Sequence, residues 1–106
     1  MKPLAVKLIG KNRAESTLAS VALYCAGVRI VRSRPDLALL IDAKSAPARQ
    51  RGLRRFPIVA IVPPTQKRGA LAAGVDAAFA RPLQWKAYSR LVERVLARWA
   101  KRIKQR

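Results

Sequence analysis

The chain has no histidine, one cysteine and five acidic residues among its 106. Each shortage excludes something. Without histidine, the thiol of Cys25 lacks the usual base of an activated nucleophile. With one cysteine, no internal disulfide can form. Cys25 therefore reads as a small buried hydrophobe on a helix. No apolar run approaches the roughly 20 residues of a membrane span. The N-terminal stretch MKPLAVKLIGK lacks the apolar core and cleavage site of a signal peptide. It is expected to be a first strand, and the protein to be cytoplasmic. Repeats, linkers and low-complexity segments are missing too, so residues 1–106 are expected to form a single domain.

What is abundant is positive charge. Lys and Arg total 23 against five acids, a net charge of +18. Arg outnumbers Lys, which favours planar, bidentate contact with phosphate or carboxylate. Such a field attracts nucleic acid, nucleotides, acidic proteins and anionic lipid alike, and does not choose among them. A solvated, arginine-rich surface explains part of the excess but not the scarcity of acids. Charge this high also opposes self-association in low salt.

The apolar residues fall in short runs. LAVKLI (4–9), DLALLI (36–41) and PIVAIV (57–62) have the continuous character of strands buried on both faces. VRIV (28–31) has strand composition, and AAFA (77–80) reads as a last short strand. A helix is expected from about Ala14 to Ala26, with Leu18, Val21, Ala22 and Cys25 as its core face and Gly27 as its stop. A short helix is expected over 45–55, with Ser45 near the cap and Pro47 in the first turn. Another spans 65–74, capped by Thr65 and stopped at Gly74. A long helix runs from about Leu83 to Lys104, with Tyr88, Leu91, Val92, Val95 and Trp99 as its inner stripe. Its basic end, about 97–106, suits the helix dipole. Strands alternating with helices imply a parallel sheet covered on both faces.

The stretch PIVAIVPPTQKRGALAAGVDAAFARPL is similar to the receiver domain of bacterial response regulators, which carries A-A-G-A-D-D-Y-hydrophobic-x-K-P at this place. PDLALLID resembles the same family's third strand, and the likeness covers roughly residues 4–96. It implies a small α/β fold, flavodoxin-like and CheY-like, with a parallel sheet of four to five strands and helices on both faces. It also implies a chemistry. In receivers, two acids after the first strand hold Mg²⁺, a hard cation that wants carboxylate oxygens. An Asp ending the third strand takes the phosphoryl group, and a Thr or Ser ends the fourth. A Lys before the proline after the fifth strand helps neutralise the transferring charge.

Position by position, this chain departs from that pattern. Gly10 and Lys11 stand where the acids belong. The acceptor position falls at Ile41, and Asp42 comes one residue late, which on a strand means the opposite face. Val62 replaces the hydroxyl residue, and Arg81 replaces the lysine. A degenerate pseudo-receiver is therefore expected: no Mg²⁺ site, no phosphorylation and no enzymatic activity. The resemblance also implies a cis peptide bond at Arg81–Pro82.

The topology departs as well. Only Arg32 to Pro35 separate VRIV from DLALLI, whereas a parallel crossover needs about a dozen residues. The second helix is thus missing or strongly shortened. Residues 28–35 either pair irregularly at the sheet edge or form an extended connection. The expected sheet is trimmed to first, third, fourth and fifth strands, with an open edge beside the first where a second copy or a partner could pair.

Candidate binding residues are the cations. Arg49, Arg51, Arg54 and Arg55 crowd one segment, and Lys101, Arg102 and Lys104 mark the tail. Lys11, Arg13 and Arg81 convert the C-terminal edge of the sheet, where open α/β folds bind ligands, from acidic to basic. Three readings follow. One is an adaptor that docks an acidic protein, as receivers act through protein contacts on their fourth and fifth helices. Another is a sensor of cyclic di-GMP, since Arg pairs with phosphate and stacks on guanine. The third is non-specific nucleic-acid binding. Trp85 and Trp99 are expected to pack on the sheet rather than stack on bases.

Overall fold

The computed structural model describes residues 4–42, 44 and 56–104. Arg49, Arg51, Arg54, Arg55 and the helix expected over 45–55 lie outside these residues. In chain order the elements are β1 (Ala5–Ile9), α1 (Arg13–Cys25), β2 (Arg29–Ile30), β3 (Leu37–Leu40), β4 (Ile58–Val62), α2 (Lys67–Ala72), β5 (Ala77–Ala80) and α3 (Trp85–Lys104). A 3₁₀ turn, Pro64–Gln66, leads into α2 and contains Thr65, which therefore does not cap that helix. The sheet is parallel throughout, in the order β2-β1-β3-β4-β5. It is the expected receiver-like, flavodoxin-like α/β fold, with three α-helices among the described residues.

Strand period assigns the two faces. Val6, Leu37, Leu39, Ile41, Val59 and Ile61 point to a front face and pack with α1 and α3. Ala38, Leu40, Ile58, Ala60 and Val62 point to the back face and pack with Ala70 of α2. Burial on both sides is why these strands read as unbroken apolar runs. On α3 the expected stripe is found: Tyr88, Val92, Val95 and Trp99 are buried, joined by Leu96, while Leu91 is partly buried. Each such side chain contributes on the order of 1.5–3 kcal/mol.

α1 is rotated from its expected orientation. Ala19, Ala22 and Leu23 are buried, with Glu15, whereas Leu18 and Val21 are 41% and 46% exposed and Cys25 is exposed. The inward face is thus Glu15, Ala19, Ala22 and Leu23, and Leu18 and Val21 flank the contact. Gly27, at φ 77°, makes the turn from α1 into β2, a backbone region costly for other residues.

The second strand is not lost. Arg29 and Ile30 pair with Ala5 and Val6, so the sheet edge is β2 rather than β1. The connection manages without a helix because it does not climb. β2 leaves β1 at the level of Val6, and β3 begins opposite the same residue. Residues 31–36 therefore need only cross β1. They do so over the back face, since α1 covers the front and parallel crossovers are right-handed. A second expectation also fails: no peptide bond among the described residues is cis, so Arg81–Pro82 is trans. The Arg81 N–H continues the ladder to the Val62 carbonyl at 2.7 Å.

Two acids hold the sheet together by the same device. Asp36 Oδ2 accepts the Ala5 N–H at 2.9 Å while the Asp36 N–H donates to the Ala5 carbonyl. Asp76 Oδ2 accepts the Ile58 N–H at 2.7 Å while its own N–H donates to the Ile58 carbonyl. Each aspartate precedes a strand and pairs the first residue of its neighbour. No helix among the described residues is long and apolar enough to cross a membrane.

Candidate functional site

The strand ends place Gly10, Lys11, Ile41, Asp42, Val62 and Arg81 along the C-terminal edge of the sheet. Ile41 is fully buried, its N–H donating to the Ile9 carbonyl at 3.0 Å. Val62 is fully buried on the back face. Gly10 sits against Ile41, where a β-carbon would run into the isoleucine side chain and stand 3.1 Å from Asp42 Oδ2. Asp42 is half-buried, and its Oδ2 accepts the backbone N–H of Lys11 at 3.1 Å. It closes the loop after β1. The side chains of Lys11 and Arg13 are exposed.

Arg81 is engaged. Its guanidinium forms an ion pair with Glu15, a residue that sequence reasoning had passed over. Glu15 follows the N-cap Asn12, whose side chain accepts the Glu15 N–H at 3.1 Å. That cap fixes the first turn of α1 and aims the carboxylate inward. The Glu15 side chain is 9% exposed and that of Arg81 25%. Buried Tyr88 lies close enough to feel this cation. Burial pushes the Tyr88 phenol up from its ordinary value, and Arg81 pulls it partly back. The Tyr88 hydroxyl, Glu15 Oε2 and Arg81 Nε are buried without a hydrogen-bond partner among the described residues. The basic pocket expected from Lys11, Arg13 and Arg81 is thus only half realised, because its innermost cation is neutralised from within.

The remaining candidates lie on α3. Lys101 and Arg102 are exposed, Arg102 stacking 4.8 Å over the ring of Trp99, and Lys104 is the last residue of the helix. The sequence reading missed the rest of this helix. Lys86, Arg90, Arg94 and Arg98 are all exposed and follow one another at intervals of four, a ladder that continues to Arg102. Like charges at that spacing repel. The four-residue period is present in the sequence, interleaved with the inner apolar stripe. Exposed apolar side chains occur on the helices before and after edge strand β5 in the chain: Leu71 (48%) on α2, and Leu83 (95%) and Trp85 (41%) at the start of α3.

Four of the five acids are occupied in these ways. Asp36 and Asp76 pair strands, Glu15 holds Arg81 and Asp42 accepts from Lys11. Glu93 is exposed on α3. Among the described residues, exposed cations far outnumber the exposed acids Asp36, Asp76 and Glu93.

Neither a known protein family nor a curated protein matches the sequence. Solved structures match the fold. The chain is similar to the receiver domain of the sensor histidine kinase PA1611 of Pseudomonas aeruginosa PAO1, a structure with magnesium in its active-site cleft. That match has a TM-score of 0.68 and 21% identity, over 92% of this chain and 97% of that one. It is similar to the phosphorylated cyanobacterial phytochrome response regulator RcpA, with a TM-score of 0.69 and 16% identity, over 92% and 94% of the chains. It also resembles response regulator RPA3017 of R. palustris, with a TM-score of 0.62 and 13% identity, over 88% and 91%.

Proposed function

We propose that this chain is a pseudo-receiver: a non-catalytic, phosphorylation-independent signalling module of the cytoplasm that docks an acidic protein through its cationic surface. The observation that carries the reading is the Arg81–Glu15 ion pair. Arg81 stands where a receiver's lysine would reach the phosphoryl group, and an acid from α1 already neutralises it. The neighbouring positions agree. Mg²⁺ does not fit residues Gly10 and Lys11, because a divalent cation there would meet one carboxylate, Asp42, with Lys11 and Arg13 close in sequence. Ile41 offers no acceptor, and Val62 no hydroxyl.

A protein partner is favoured by the mixture around β5. Leu71 is exposed on α2 with Lys67 and Arg68, and Leu83 and Trp85 are exposed at the start of α3 with Lys86 and Arg90. Aromatic and aliphatic anchors rimmed by charge are what a protein interface uses. A phosphate backbone needs the cations alone. Steering by the cations would supply on-rate and orientation, and burial of Trp85 and Leu83 most of the affinity.

The test is an amide NMR titration of the labelled protein in physiological salt. Acetyl phosphate with Mg²⁺ is expected to leave Asp42 and its neighbours unshifted. A designed amphipathic helical peptide of Glu and Leu is expected to shift α2, β5 and α3 saturably, with loss on W85A/L83A. Mg²⁺-dependent shifts centred on Asp42 would overturn the phosphorylation-independent reading. Saturable shifts with cyclic di-GMP at Lys11 and Arg13, without response to the peptide, would replace it with a nucleotide sensor.

A further inference from the structure

We infer that the back face of the β2–β1 edge, crossed by residues 31–36 where a crossover helix would lie, is a second binding surface, one that takes the phosphodiester backbone of duplex nucleic acid. This goes beyond the docking of an acidic protein and does not rest on it.

The register places the residues. Ala5 is opposite Arg29 and Val6 opposite Ile30. Val6 belongs to the front core, so Arg29 and Ala5 point to the back face. Lys7, two residues further along β1, points the same way and is diagonal to Arg29. In a sheet covered on both sides these positions would be apolar, like Ala38 and Leu40 beside them. Here they are a half-buried lysine and an exposed arginine. Ala5 is buried beneath the connection, and the positions around it, Lys7 and Arg29, carry charge rather than a hydrophobic scar.

The short connection adds two more cations over the same face. Residues 31–36 cross the back of β1, and Arg32 and Arg34 on them are exposed. Arg34 sits at φ 53°, the only residue other than glycine with positive φ among those described. Glycine, asparagine or aspartate would occupy that conformation more comfortably. A strained arginine at the apex of a connection points to the side chain rather than the backbone as what is needed there. The one acid within residues 29–37, Asp36, accepts the Ala5 N–H through its carboxylate.

The chemistry selects the ligand. Lys7, Arg29, Arg32 and Arg34 surround no exposed aromatic or large aliphatic side chain on this face, since Ile9 packs into the back core and Val31 is half-buried. A protein interface would lack its anchor here. A row of phosphates needs none, and arginine pairs with them bidentately. Nothing on the face reads bases, so binding is independent of sequence.

The experiment uses the full chain and a fluorescent 20-base-pair duplex of arbitrary sequence. Affinity is measured by anisotropy between 50 and 200 mM salt. The triple variant R29Q/R32Q/R34N removes three cations from the surface, with an asparagine that tolerates positive φ. A charge-matched control, K86Q/R90Q/R94Q, removes three from α3. For the first variant, the slope of log affinity against log salt is expected to fall by about 2.7, three phosphates at 0.9 each. The control is expected to change it by less than about 1, and the melting temperature of R29Q/R32Q/R34N not to drop. Equal losses in both variants would reduce the binding to overall charge and overturn the assignment, as would failure of the wild type to bind at 50 mM salt. Binding of a poly-glutamate peptide that is lost in R29Q/R32Q/R34N, with no duplex binding by the wild type, would assign the face to an acidic protein instead. The docking reading is tested separately, by the response of Trp85 and Leu83 to the amphipathic peptide.

Discussion

Gly10 and Ile41 compete for one space: the site of a β-carbon on Gly10 is filled by the Ile41 side chain. The loss of an acid after β1 and the replacement of the acceptor on β3 are thus physically linked. No acidic side chain can return to position 10 while isoleucine stands at 41. Gly10→Ala is expected to cost about 1–3 kcal/mol by overpacking. Combined with Ile41→Ala, it is expected to cost at least about 1 kcal/mol less than the two single losses added, a coupling that urea unfolding of the four proteins would measure. Strict additivity would mean that the two residues do not share the space.

The Arg81–Glu15 pair joins the end of β5 to the first turn of α1. Removing one partner strands a largely buried charge. Glu15→Ala is expected to cost about 2–4 kcal/mol, less than for a fully enclosed pair because Arg81 keeps a quarter of its side-chain surface in water. The double variant E15L/R81M is expected to be more stable than either single variant, because apolar groups of similar volume replace a buried pair with little loss. Denaturant midpoints decide. Additive losses would show that the two charges do not depend on each other.

Tyr88 gives the fold an alkaline weakness. Burial raises its phenol above the ordinary tyrosine value, and the Arg81 charge opposes this more weakly. The folded state therefore holds the proton more tightly than the unfolded state does. The stability from this group is fully present below the unfolded value and is lost as pH rises through the folded one. Tyr88→Phe is expected to flatten the decline of stability above pH 10 and to be neutral or mildly stabilising at pH 7, since the hydroxyl has no partner to lose among the described residues. An unchanged alkaline limb in thermal melts of the variant would place the weakness elsewhere.

The orientation of α1 can be checked by truncation. Leu23 is fully buried, whereas Leu18 is 41% exposed. Leu23→Ala is expected to cost about 2–5 kcal/mol and Leu18→Ala under about 1 kcal/mol. A reversed order would restore the helix face expected from the sequence.

That face was misread for a physical reason. RAESTLASVALYC carries apolar residues on most of its circumference, so periodicity alone could not choose a side. The choice is made by the docked helix, which buries Leu23 with Ala19 and Ala22 and turns Glu15 to Arg81. α3 was legible because its apolar residues form one stripe between cations. The central strands were legible because burial on two faces leaves no polar positions. β2 was misjudged because the crossover rule assumes a helix, and nothing in VRIV tells how high along β1 it pairs. At the candidate site, the substitutions at Gly10, Lys11, Ile41, Val62 and Arg81 could be read directly from the chain. The partner of Arg81 could not, because Glu15 lies on a distant element and meets it only once α1 has docked.

The level six-residue return from β2 to β3 also bears on the order of folding. It lets β1, α1, β2 and β3 close on one another within the first 40 residues, with Asp36 reaching back only 31 positions to Ala5. Shortening a connection lowers the entropy lost in closing it, and nearby pairings form faster than distant ones. The N-terminal half of the sheet is thereby placed to assemble while the rest of the chain is still emerging from the ribosome, offering β3 as a template on which β4 and β5 add in turn.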